Sequence, residues 1–263
     1  MEPPKLKRRN TIVEEAADSL IETGQKIEEL NKKSVMNFNS VNPGLGFRPQ
    51  KDPESELIAL NTSSWKPTYH YLDIFLQSYE SGRNTSFIGA HGRSVTFDYA
   101  KVIDGTPCAK AKQFGMSSGT PCVVVKLNKI YGWFPRYSSA NLPTALSKID
   151  SDEKFVFIAC KGEYPADEDN MGHVDYYSSY PNTEIGGVNF KYFPYRNQPN
   201  YLSPLVFVHF KNATKNVLIN VECRAYAKNI ENADLSNTVP KGIESDESEV
   251  EEEFVPKRQE LSQ

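Results

Sequence analysis

The amino-acid sequence predicts a mainly β protein, a β-sandwich of short antiparallel strands with one helix packed on it. Three observations carry the prediction. From residue 85 to 230, short apolar or aromatic runs alternate with clusters of Gly, Pro, Asn and Asp, the texture of many short strands joined by turns. Over Val217–Tyr226, Val217, Ile219, Val221 and Cys223 fall on one face, and Leu218, Asn220, Glu222 and Arg224 on the other. Such alternation marks a half-buried antiparallel strand. Leu72, Phe75, Leu76 and Tyr79 instead recur at helical spacing, which predicts a helix over about 68–80.

In chain order, residues 11–32 predict an amphipathic helix. Thr11 and Glu14 have the spacing of a capping box, and Ile12, Ala16, Leu20, Ile27 and Leu30 fall close to one face. Asn37, Asn39, Asn42, Pro43, Gly44, Gly46, Pro49 and Pro53 predict a linker over 33–53. After the helix at 68–80, strands are expected at Val95–Val102, Cys122–Lys129, Phe155–Ala159, Val188–Tyr192, Leu205–Phe210 and Val217–Tyr226. The expected organisation is an N-terminal helix and linker (1–43), a β domain (44–232) and a disordered acidic tail (233–263).

Composition bounds the function. The chain has 263 residues, 38% of them hydrophobic, enough for a sizeable core. Its net charge of −4 is unevenly spread: residues 241–263 hold eight acids and three bases, so the remainder is close to neutral. A nucleic-acid binder would show a basic patch or a high domain pI. The longest apolar run is Phe155–Cys160, far below the ~18 residues of a membrane helix. The basic start, Met1–Asn10, is not followed by an apolar signal segment. The chain as written is therefore expected to carry neither a membrane span nor a secretory signal.

Four cysteines are present, Cys108, Cys122, Cys160 and Cys223, with no CxxC and no zinc spacing. Three pairings are possible, and four reduced thiols remain an equal alternative. A Cys108–Cys122 bridge would contribute about 3 kcal/mol on the chain-entropy model. Asn61, Asn84 and Asn212 each open an N-glycosylation sequon. With an even cysteine count they favour an oxidising, luminal or extracellular setting.

No catalytic constellation is legible. His70, His91, His173 and His209 lie outside HExxH or GxSxG contexts. His209 sits in a strand pattern, which suits a core or rim histidine. His173 lies near Asp167, Glu168, Asp169 and Asp175 without the spacing of a calcium loop, so a solvated acidic loop is expected. There is no phosphate loop or dinucleotide fingerprint. No metal and no cofactor are expected. The most unusual local feature is the aromatic block Tyr192, Phe193, Pro194 and Tyr195, with Tyr201 nearby. Tyrosine is common at protein–protein hot spots, and an aromatic core corner is the other reading.

Four segments resemble the β subunit of sodium/potassium-transporting ATPases and the related proton/potassium pump. They are GLGFRP at 44–49, GTPCVVVKLNKI at 119–130, YFPY at 192–195 with Tyr201, Leu202, Pro204 and Leu205 following, and VECRAY at 221–226. The resemblance covers about residues 44–230. It implies an immunoglobulin-like ectodomain that is not a catalyst. It would assist a P-type ATPase catalytic α subunit in folding, trafficking and potassium binding, on the extracellular side of the plasma membrane. It further implies Cys108–Cys122 and Cys160–Cys223 bridges, glycosylation at Asn212, and contact of Tyr192–Tyr195 with the α subunit. The family's first disulfide and its membrane helix are missing from the sequence, and the acidic tail extends past the family's usual end. Membrane association is thus expected only through the partner. A soluble interaction module no longer acting in a pump is the second reading.

Overall fold

Alternating burial along short strands builds the molecule. The computed structural model describes residues 33–40, 44–52, 55–61, 65–82, 85–136 and 154–230. Five strands form one sheet, in the spatial order β3 (Leu57–Asn61), β1 (Lys33–Ser40), β11 (Leu218–Tyr226), β7 (Phe155–Gly162) and β9 (Gly186–Asn189). Four form a second: β2 (Leu45–Arg48), β6 (Cys122–Leu127), β10 (Val206–Phe210) and β8 (Val174–Tyr177). A small ribbon pairs β4 (Phe87–Ile88) with β5 (Ser94–Val95). The pairings are antiparallel except β1 with β11, which run parallel with Val35 opposite Leu218.

The core lies between the two sheets. In β11, Ile219, Val221, Cys223 and Ala225 are buried while the residues between them are more exposed. Phe38 of β1 stacks on Phe47 of β2 at 5.0 Å and meets Phe210 of β10 edge-on at 5.9 Å. Three strands from both layers thus share one aromatic contact. β10 is buried on both faces, because its other face is covered by a lobe inserted between β3 and β6. There Tyr99 stacks over Phe207 at 6.2 Å.

That lobe opens with helix α1 (Lys66–Gly82). Leu72, Leu76 and Tyr79 are its buried stripe. The Lys110 ammonium lies 2.6 Å from Asp73 and 3.1 Å from Glu80 of α1. The two carboxylates hold the ammonium well above its usual pKa, the hydrogen bond it donates to Asp73 contributing most.

Several expectations are corrected here. The segment 33–53 is not a plain linker. It supplies β1 and β2, whose buried Met36, Phe38, Leu45 and Phe47 alternate between the turn-forming residues. Of the strand expected at Val95–Val102, only Val95 is paired, at the end of β5; Tyr99–Ile103 forms helix α2. The Asp98 carboxylate caps it by accepting from the Ala100 N–H at 3.1 Å. The strand expected at Val188–Tyr192 ends at Asn189, where a single tight helical turn, Phe190–Tyr192, begins. The acidic loop expected near His173 contains a short helix, α3 (Pro165–Met171). Its Asp167 is buried and accepts from the Asn220 N–H at 3.0 Å. The helix expected at 11–32 and the acidic tail lie outside the described residues.

Candidate functional site: an aromatic surface beside strand β6

The sequence continues past β6 into Asn128, Lys129 and the run Ile130–Arg136. That run lies alongside the Tyr192–Tyr195 block. Tyr131 and Tyr195 form a parallel bridge, and the Gly132 N–H donates to the Tyr195 carbonyl at 2.8 Å. Trp133 packs edge-on against Phe193 at 5.4 Å, and Phe134 against Phe190 at 5.9 Å.

The block divides by depth. Tyr192 is 5% exposed and packs against Phe97 at 5.5 Å and Phe87 at 6.3 Å. Phe193 is buried too. Pro194, Tyr195 and Tyr201 are half-buried. The Tyr195 and Tyr201 rings lie 5.0 Å apart, and the Lys129 ammonium sits over both, at 5.2 and 5.6 Å. The Tyr195 hydroxyl donates to Asn197 Oδ1 at 3.0 Å. Gln198 Nε2 donates to the carbonyls of Pro194 and Ile88, tying this loop to β4. Burial pushes the Tyr201 hydroxyl up to about 12, so it stays a neutral phenol.

Exposed apolar side chains flank the block. Ile88 is 55% exposed, Ile130 45%, Tyr131 74% and Phe134 38%. A soluble surface rarely groups such residues without a partner for them. Sequence reasoning stopped at Tyr192–Tyr201 and missed this second strip. The signal was present in the aromatic density of IYGWFP at 130–135, but periodicity alone does not say which side of such a run faces outward.

Against known proteins, the sodium/potassium ATPase beta chain family matches residues 30–243. The chain belongs to this family. Its relatives include the sodium/potassium-transporting ATPase subunit beta-2 of Drosophila melanogaster, 35% identical over 218 residues, 72% of this chain and 66% of the relative. A probable subunit beta-3 of Caenorhabditis briggsae is 33% identical over 76% of this chain and 64% of its own length. The Drosophila subunit beta-1 is 32% identical over 72% and 65%. The chain thus spans slightly less than two thirds of the curated relatives it matches.

The structure joins Cys108 to Cys122, with Cα atoms 5.6 Å apart, and Cys160 to Cys223, 3.9 Å apart. The second bridge links directly opposed residues of β7 and β11. The first anchors the lobe to the start of β6. Of the sequon asparagines, Asn212 is exposed, and its Oδ1 accepts from the His173 N–H at 2.8 Å. That bond uses the oxygen and leaves Nδ2, the atom an N-linked glycan occupies, without a described partner. Asn61 ends the edge strand β3. Asn84 lies outside the described residues.

His209 is 5% exposed in β10 and lies beside the Tyr177 ring. Burial holds its pKa below the usual value, with Asp175 opposing and Lys211 reinforcing the shift. No helix among the described residues is long and apolar enough to cross a membrane.

Proposed function

We propose that the chain acts as the non-catalytic β subunit of a sodium/potassium-transporting P-type ATPase. In this reading it supports the folding, trafficking and potassium binding of the catalytic α subunit, with the sandwich on the extracellular side of the plasma membrane. The observation that carries it is the family match over residues 30–243. The apolar strip beside the tyrosine block supports it physically, since Ile130, Tyr131 and Tyr195 offer contact area of the kind that anchors protein interfaces.

The test is co-expression with an α subunit, followed by affinity purification. The expected result is co-purification that is weakened by Tyr131→Ala combined with Tyr195→Ala. Tyr192 is a poor probe, because its ring lies inside the lobe and its loss would damage the fold itself. Absence of the β chain from purified α subunit, with both proteins present in the same cells, refutes the reading.

A further inference from the structure

Arg48 and Lys126 share one face of the four-stranded sheet, and Lys129 lies just past the end of β6, with no described ion pair to any of the three. The Arg48 guanidinium lies 5.4 Å from the centre of the Phe75 ring, and the Lys126 ammonium 5.9 Å from the same ring. Lys129 follows, over Tyr195 and Tyr201. The described ion pairs lie elsewhere: Lys110 with Asp73 and Glu80, Lys161 and Arg224 with Glu222, and Lys211 with Asp175. The strip is under electrostatic tension. Burial, then Arg48, then Lys129 push the Lys126 pKa down, and burial lowers that of Arg48. Crowded, partly desolvated cations are costly until an anion joins them.

Beside the strip opens a cleft of about 370 Å³, within the range of ligand sites. Lys129 is the one charged side chain among its described lining residues. Ser78, Ser81 and Thr85 also line it, and their hydroxyls already donate to the carbonyls of Phe75, Ser78 and Gly82. They therefore present lone pairs to the cleft. Asn197 has its Oδ1 taken by Tyr195, so its Nδ2 remains as a donor. Donors and acceptors together with a cation and two aromatic rings suit a peptide, which brings N–H groups, carbonyls and a carboxylate. Inorganic phosphate, with at most two O–H groups near neutral pH, would leave at least one of the three hydroxyl acceptors unused.

We propose that the Arg48–Lys126–Lys129 strip and its cleft bind an acidic peptide segment of a partner protein. The proposal deepens the subunit reading and rests on it for the identity of the partner, though not for the chemistry of the site.

The test uses the full chain and a fluorescent hexaglutamate peptide, read by anisotropy at low ionic strength. Saturable binding is expected, weakened about tenfold or more in Lys126→Gln/Lys129→Gln and preserved in Lys129→Arg and in Lys110→Gln. Raising the salt to ~0.3 M should weaken it, because exposed charges are screened. Equal binding by the Lys126→Gln/Lys129→Gln variant overturns the proposal. So does displacement by inorganic phosphate at matched concentration, or tighter binding to phosphatidylserine vesicles than to the peptide, which would assign the strip to free phosphate or to a lipid surface. Peptide binding without α-subunit co-purification sinks the subunit reading and leaves the strip intact. Co-purification by a chain that does not bind the peptide sinks the strip alone.

Discussion

Replacing Tyr192 with Ala should unfold this protein far more readily than replacing Tyr195, three residues away. The Tyr192 ring is 5% exposed and meets Phe97 edge-on. Truncating a buried aromatic to Ala costs about 3–5 kcal/mol, and losing the ring–ring contact puts Tyr192 in the upper part of that range. With a urea m-value of about 2.5 kcal/mol/M, a cost of about 4 kcal/mol lowers the midpoint by about 1.6 M. Tyr195 is half-buried and keeps one hydroxyl bond, to Asn197. Its truncation should cost about 1 kcal/mol, or about 0.4 M. The assay is urea unfolding of the oxidised protein, followed by tryptophan fluorescence with far-UV circular dichroism as a second probe. Midpoints within about 0.3 M of each other would refute the division of the block into a buried half and a surface half.

Removing the Cys160–Cys223 bridge, which spans 63 positions, as Cys160→Ser/Cys223→Ser should cost about 4 kcal/mol on the chain-entropy model; urea unfolding checks this, and a loss below about 1 kcal/mol contradicts it. Gly162→Ala should destabilise by about 1–3 kcal/mol or more, because a Cβ there would lie 2.1 Å from the Glu168 amide nitrogen of α3; thermal unfolding against wild type reads the effect. His209 is held neutral by burial, its folded pKa below the unfolded value of about 6.5. The unfolded chain therefore binds the extra proton, and stability present above about pH 6.5 is lost as pH falls through that value toward the lowered folded pKa. His209→Phe should flatten the decline in unfolding free energy between about pH 7 and 5.5; an unchanged slope would assign the acid sensitivity elsewhere.

The strands read correctly from the sequence are those whose patterning is strong over several residues. β11 alternates cleanly, while β6, β7 and β10 are mainly apolar and buried at most positions. α1 was legible because Leu72, Leu76 and Tyr79 repeat at helical spacing. β1 and β2 were hidden because their buried residues, Met36 and Phe38, then Leu45 and Phe47, are separated by Asn, Gly and Pro. Short strands can tolerate such residues when neighbours supply the hydrogen bonds, and that information is tertiary. Val95–Val102 failed for a local reason, since Asp98 caps a helix in the middle of a β-rich run. At the candidate site, the tyrosine block was legible as a cluster. Its division into buried Tyr192 and half-buried Tyr195 was not, and neither was the approach of Lys129, which depends on how the loops after β6 and before β10 meet.

The parallel contact between β1 and β11 has a consequence for the order of folding. β1 sits between β3 and β11, yet its partner on one side is the last described strand of the chain. During synthesis from the N-terminus, β1 emerges early with that edge unpaired and waits while nearly the whole domain is made. Pairings so distant in sequence close slowly, and an open strand edge is prone to wrong partners in the interval. The five-stranded sheet can therefore be completed only after Leu218–Tyr226 has been made, and a nascent chain stopped before Leu218 is the form most in need of a chaperone.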